Sequence, residues 1–130
     1  MNNNFVADTM AVVLRLERRR MPQRVRAIFE KTELGKSHIF IPAIVLMEIG
    51  YLSEKRRIDI SLNDVRNYCS TCKTIEVVPM TQEIVEKSFE IDDIPEVHDR
   101  IIDGTAYMKL YPLITNDPII SESTCLSVIW

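Results

Sequence analysis

The sequence predicts an α/β domain built on a mostly parallel, five-stranded sheet flanked by helices. Three observations carry that reading. Short β-branched or aromatic runs alternate with longer stretches of helical periodicity, and such alternation implies crossover connections between parallel strands. The 130 residues, 46% of them hydrophobic, suit one domain with one buried core. All six prolines, at 22, 42, 79, 95, 112 and 118, fall where these segments meet. The domain is expected to span 1–130, without an internal repeat, low-complexity tract or linker.

Each element has its own signal. Phe5-Val6-Ala7 is a short apolar run ending at Asp8 and reads as the first strand. A helical segment over 10–36 is interrupted near Met21-Pro22, where proline suits the first turn of a new helix. Past that break Val25, Ile28, Phe29 and Thr32 share a face, and Gly35 supplies the stop. His38-Ile39-Phe40-Ile41-Pro42 is the second strand, followed by a helix over 43–55 with Val45, Met47, Ile49 and Leu52 apolar. Ser61 N-caps a helix whose Leu62, Val65, Cys69 and Cys72 fall on one face. Ile75-Glu76-Val77-Val78 is the third strand, stopped by Pro79, and Thr81 caps a helix carrying Ile84, Val85, Ser88 and Phe89. After a loop over 92–96 the last long helix covers 98–110. Leu113-Ile114-Thr115 and the segment 126–130 complete the strands.

Composition excludes several classes. Charged residues at 27% and aromatics at 7% are ordinary globular values, unlike those of a disordered chain, collagen or a coiled coil. No apolar run approaches the roughly 18 residues of a membrane span. The start, MNNNFVADTM, has neither the basic region nor the long apolar region of a signal peptide. Three cysteines do not form a disulfide framework, so a cytoplasmic setting is expected.

The formal charge of -3 hides an asymmetry. Residues 1–73 carry 13 Lys/Arg against 8 Asp/Glu, whereas 74–130 carry 3 against 11. Arg15, Arg18, Arg19, Arg20, Arg24 and Arg26 lie close together with a single acid, Glu17, among them. Such a cluster is either a phosphate-binding surface or a solvated helix face.

Ligands of an open parallel sheet gather beyond the carboxyl ends of strands, where the strand order reverses. Two strands here run into an aspartate: Phe5-Val6-Ala7 into Asp8-Thr9, and Leu113-Ile114-Thr115-Asn116 into Asp117. Either aspartate alone also reads as a helix N-cap. Glu48 interrupts an apolar run, where an acid is costly unless paired, hydrogen-bonded or bound to a metal. Asp99 opens the segment Asp99-Arg100-Ile101-Ile102-Asp103, its plain alternative being a first-turn acid favoured by the helix dipole. Asp103, four residues on, shares its helix face.

Together these pieces resemble the PIN-domain nucleases, most closely the small single-domain toxins of the VapC type. The matching segments are FVADT, IPAIVLMEIGYL, HDRIIDGTA and LITND, in the family's order and approximate spacing, and the terminal SVIW resembles its last strand. The resemblance implies the strand order 3-2-1-4-5, which puts the switch point between the strands ending in Asp8 and Asp117. It implies that Asp8, Glu48, Asp99 and Asp117 form an acidic quartet that binds Mg²⁺ or Mn²⁺. Hard oxygen donors without histidine or cysteine suit those ions, and four adjacent carboxylates cannot all ionise without a cation. Asp8, Glu48 and Asp99 are assigned the metal-binding core and Asp117 a second or water-bridged ion, with one acid deprotonating the attacking water. Thr9 and Thr115 match the small hydroxyl residues that orient these groups. The chain departs from the family at Asn116, often arginine there, and at Asp103, usually a small apolar residue. The first departure removes a phosphate contact, and the second leaves open an outer-ligand role for Asp103.

The implied activity is metal-dependent cleavage of RNA to 5′-phosphate and 3′-hydroxyl ends, with substrate entering along the arginine cluster. A small antitoxin protein is the implied partner, and a homodimer pairing two sites across one groove the implied assembly. Setting those four site acids aside leaves the rest of the chain at +1, so the negative total does not argue against nucleic acid.

Other features carry less. Cys69-Ser70-Thr71-Cys72 lacks a second pair for zinc and lies at a helix end, so core packing is the reading preferred. His98 reads as a surface or capping residue, and Gly50 and Gly104 as points of close helix approach. Arg100 either neutralises the acids, touches substrate or forms a surface ion pair. The main alternative to the enzyme is a catalytically inactive PIN-like module that binds RNA or a protein. Such modules usually lose a site acid, whereas this chain keeps all four. Neither GxSxG, GxGxxG nor a Walker A sequence is present.

Overall fold

Five strands, β1 (Asn4–Ala7), β2 (His38–Pro42), β3 (Ile75–Val78), β4 (Leu113–Ile114) and β5 (Val128–Ile129), pair in the order β3-β2-β1-β4-β5. All four pairings are parallel, as the crossover argument requires. The computed structural model describes residues 3–123 and 125–130. The helices are α1 (Thr9–Leu16), α2 (Gln23–Glu33), α3 (Ala43–Glu54), α4 (Leu62–Thr71), α5 (Gln82–Ser88), α6 (Val97–Lys109) and α7 (Pro118–Ser121). No helix among the described residues is long and apolar enough to cross a membrane.

The chain winds from β1 through β2 to β3 on one side, then returns to place β4 on the other side of β1. The reversal of order therefore lies between β1 and β4. Their register pairs Val6 with Leu113 and Ala7 with Ile114, and the Asp8 N–H donates to the Ile114 carbonyl at 3.1 Å. One step further, Asp8 and Thr115 stand side by side at the rim. Val6, Ala7, Leu113 and Ile114 are fully buried, so both residues are positioned by the stiffest part of the sheet.

Local chemistry ends most helices as expected. Ser61 and Asp64 form a reciprocal capping box at α4, and Thr81 accepts from the Ile84 N–H at α5. Gly35, at φ +81°, closes α2 while the Lys36 N–H bonds the Lys31 carbonyl. At Gly104 an added Cβ would lie 2.1 Å from Ser88 Oγ and 3.0 Å from Ser88 Cα. Only glycine lets α6 lie this close on α5, with the preceding residue, Asp103, buried inside.

The structure departs from the sequence reading at five places, one being the last strand, which covers Val128–Ile129 rather than 126–130. The first helix stops at Leu16, well before Pro22, because Arg18 adopts a left-handed conformation at φ 55° and the Arg19 N–H caps the Leu14 carbonyl. Leu62 and Phe89 lie outward at 47% and 62% exposure, so neither belongs to the buried stripe of its helix. The last residue of the expected fourth strand, Thr115, lies just past β4, although its N–H still bonds Ile129. The short α7 was not anticipated, yet it has an Asp117 cap and Pro118 in its first turn.

Candidate active site

Asp8 follows the central strand and is only 7% exposed. Its Oδ1 accepts the Ala11 N–H at 2.9 Å, which makes it the N-cap of α1. Asp117 Oδ1 likewise accepts the Ile119 N–H at 2.9 Å and caps α7. Both aspartates thus fill the capping role, and each commits Oδ1 to it. The buried Thr115 hydroxyl joins them: it accepts the Asp117 N–H at 3.1 Å and faces the Asp8 carboxylate, favouring its charged form.

Glu48 arrives from the middle of α3 and is half-buried. Thr9, the first residue of α1, donates its hydroxyl to Glu48 Oε1 at 2.5 Å. Asp99 is the third residue of α6, and its N–H bonds Glu96 Oε2 at 2.7 Å, so Glu96 rather than Asp99 caps that helix. Asp103 lies one turn further along α6 and is fully buried, with neither carboxyl oxygen hydrogen-bonded.

These acids sense one another. Burial pushes Asp8 up to about 6, against the pull of Thr115 and Ala11, and Glu48 and Asp117 add to the rise. Asp99 is pushed up to about 6 by burial, then by Glu96, Asp117, Glu48 and Asp8. Asp103 is pushed furthest, to about 8, by burial and then by Asp99, Asp8 and Asp117. Leaving a buried polar group unsatisfied costs about 1–3 kcal/mol, and more for a charged one. Hard oxygen donors, mutual repulsion and an unpartnered buried carboxyl suit a divalent cation. No group of three or more His, Cys, Asp or Glu side chains among the described residues already closes into a cage for an ion. The acids are neighbours in one field, and side-chain rotation would have to complete a coordination sphere.

Two acids with a bearing on the site were missed in the sequence. Glu96 is the acid acting most strongly on Asp99, and Asp93 acts on Asp103 while accepting from Ser123 Oγ at 2.9 Å. Glu96 had a signal, an acid three residues before another at a helix start. Asp93 had none, since nothing local tells which acid of that loop turns inward. His98 is an exposed residue paired with Glu96 at 2.7 Å, in keeping with its surface reading, and Glu96 raises its pKa. Arg100 forms no ion pair among the described residues: it donates to the Ile94 carbonyl and lies over the Phe89 ring, 5.7 Å from its centroid. Cys69 and Cys72 pack partly buried against the core, and burial raises both thiols.

The arginines lie elsewhere. An eight-residue helix spans about 12 Å; Arg15 lies in the last turn of α1 and Arg18 to Arg20 follow it, at the end opposite Asp8. Arg15 holds Glu33 in a two-pronged pair at 2.9 and 2.6 Å, and Tyr68 donates to the same carboxylate at 2.5 Å. Arg19 pairs with Glu17 at 3.4 Å, and Arg24 donates to the Trp130 carbonyl. Arg15, Arg18, Arg19, Arg20 and Arg26 line a cavity of about 890 Å³ together with Glu33 and Tyr68. The fold gathers most of the cluster but does not bring it to the acids.

With strand order and acids in place, the comparisons agree. The PIN domain family model matches residues 5–123, and the chain belongs to that family. A search of curated proteins finds no match. Among solved structures the chain is similar to DNA-bound VapBC from Salmonella typhimurium, at TM-score 0.71 and 17% identity over 99% of this chain and 98% of that one. VapBC2 from Rickettsia felis, bound to a DNA fragment from its promoter, gives TM-score 0.71 and 16% identity over 98% of both chains. Mycobacterium tuberculosis VapC20, described as a sarcin-ricin loop cleaving toxin, gives TM-score 0.58 and 13% identity over 95% of this chain and 98% of that one. At these identities the likeness speaks for the fold.

Proposed function

We propose that the protein is a Mg²⁺- or Mn²⁺-dependent endoribonuclease, the toxin of a toxin–antitoxin pair acting in the cytoplasm. The observation that carries this reading is the convergence of Asp8, Glu48, Asp99, Asp103 and Asp117 at the β1/β4 switch point, where three of them are pushed up by burial and by the others. Asp8, Glu48 and Asp99 would hold the cation, with Asp117 at a second or water-bridged position. A bound divalent ion supplies charge neutralisation for the scissile phosphate and an acidified water. Thr9 holds Glu48, and Thr115 holds Asp8 against the Asp117 backbone, so the carboxylates are oriented before substrate arrives. One carboxylate of the group accepts the proton of the attacking water.

The antitoxin partner is supported by the VapBC complexes among the structural neighbours. A homodimer is part of the same proposal, and Met47 and Tyr51, exposed one turn apart on α3, offer apolar surface for it. The arginine-lined cavity contacts RNA only where the strand extends beyond the scissile bond, since it lies past the far end of α1. The test is incubation of purified protein with labelled RNA and with DNA of the same sequence, in Mg²⁺ or Mn²⁺ and in chelator. Metal-dependent cleavage of the RNA alone is expected. RNA binding without metal-dependent cleavage would sink the enzyme and leave a binding module.

A further inference from the structure

Asp103 is the residue that the fold does least to explain. It lies in the most enclosed part of α6, between Ile102 and Gly104 and followed by Thr105 and Ala106, all buried. Thr105 satisfies its hydroxyl on the Ile101 carbonyl, whereas the Asp103 carboxyl has no partner on either oxygen. Packing alone would be served better by an alanine. Nor is the residue turned inward by chance, because the Gly104–Ser88 contact fixes how α6 lies on α5.

Helical side chains lean toward the N-terminus of their helix, so the Asp103 carboxyl leans toward the turn that carries Asp99. The acids that act on it most are Asp99, Asp8 and Asp117. A fully buried, unpartnered carboxyl aimed at three others points to a positive charge. Among the described cationic side chains none supplies it: Arg100 is turned to Ile94 and Phe89, and Lys109 lies over Phe40 and Tyr111.

We propose that Asp103 is a fifth carboxylate of the cation site, binding the ion or one of its waters from beneath Asp99, so that cation binding stabilises the fold through this residue. This rests on the metal-dependent reading above and extends it to a residue outside the quartet. Without the ion, Asp103 is a burden on the folded state; with it, the same residue becomes a tie between α6 and the end of β1.

The test reads metal binding and unfolding rather than cleavage. Wild type, Asp99→Asn, Asp103→Asn and Asp103→Ala are melted in chelator and over a Mn²⁺ titration, with Mn²⁺ affinity measured by calorimetry. Asp103→Asn keeps the shape and Asp103→Ala removes the polar group, so at least one variant folds. In chelator the Asp103 variants are expected to melt at or above wild type. Their Mn²⁺ affinity is expected to fall tenfold or more, as for other groups that support a metal ligand, and the metal-induced rise in Tm to shrink with it. Wild-type Mn²⁺ affinity in both Asp103 variants, alongside its loss in Asp99→Asn, would overturn this proposal and leave the nuclease reading standing. Absence of Mn²⁺ binding by wild type would overturn both.

Discussion

Thr9 Oγ1 donates to Glu48 Oε1 at 2.5 Å, tying the first residue of α1 to the middle of α3 across the mouth of the acid cluster. An acid in an apolar helix is thereby turned toward the sheet end rather than out to water. Thr9→Val keeps the branched shape and deletes the donor. Cleavage is expected to drop about 10–100-fold with the fold intact, while Thr9→Ser keeps most activity. Single-turnover cleavage beside circular dichroism checks this.

Stability without metal should depend on pH in an unusual direction. The three acids pushed up, Asp8 and Asp99 to about 6 and Asp103 to about 8, bind protons more tightly in the folded state than at their ordinary value of 3.8. Their contribution is therefore fully present below 3.8 and is lost as pH rises through each folded value. In chelator, Tm should fall between about pH 4 and pH 8, and Asp103→Asn should flatten the upper part of that fall. A metal-free Tm that rises steadily to pH 8 contradicts the burial of these acids.

Gly104→Ala should cost about 1–3 kcal/mol, because the new Cβ meets Ser88 backbone as well as its flexible Oγ. Ser88→Ala should restore only part of the loss, since Cα stands at 3.0 Å. Denaturant midpoints of the two single variants and the double variant decide it.

Two kinds of arginine should separate. Arg15→Ala breaks a pair with Glu33 that is itself hydrogen-bonded to Tyr68, and should destabilise the protein measurably. Replacing Arg18, Arg19 and Arg20 together should spare stability and, if RNA reaches the cavity, flatten the salt dependence of binding. An unchanged slope returns those residues to a solvated surface.

The sheet was legible because its signals are local and repeated. The run His38 to Pro42 is β2 to the residue, Ile75 to Val78 is β3, and every proline marks a boundary. Capping residues were legible for the same reason, since Ser61 and Thr81 act on N–H groups three positions away. What escaped depended on contacts across the fold. Phe89 has the spacing of a core residue but lies at a helix end, where Arg100 covers it from outside. Asp93 acts on Asp103 from the loop before α6, ten residues away along the chain. The arginines read as one cluster along the chain, yet the length of α1 separates them from Asp8 at its start.

The central claim is that these acids form a metal-dependent hydrolytic site, and the chemistry of the cut ends tests it most directly. Labelled RNA is cleaved by wild type and by Asp8→Asn in Mn²⁺ and in chelator, and the product termini are analysed. The account predicts 5′-phosphate and 3′-hydroxyl ends from wild type in metal alone, and no product from Asp8→Asn. Cyclic 2′,3′-phosphate ends, or cleavage that survives the chelator, would contradict it.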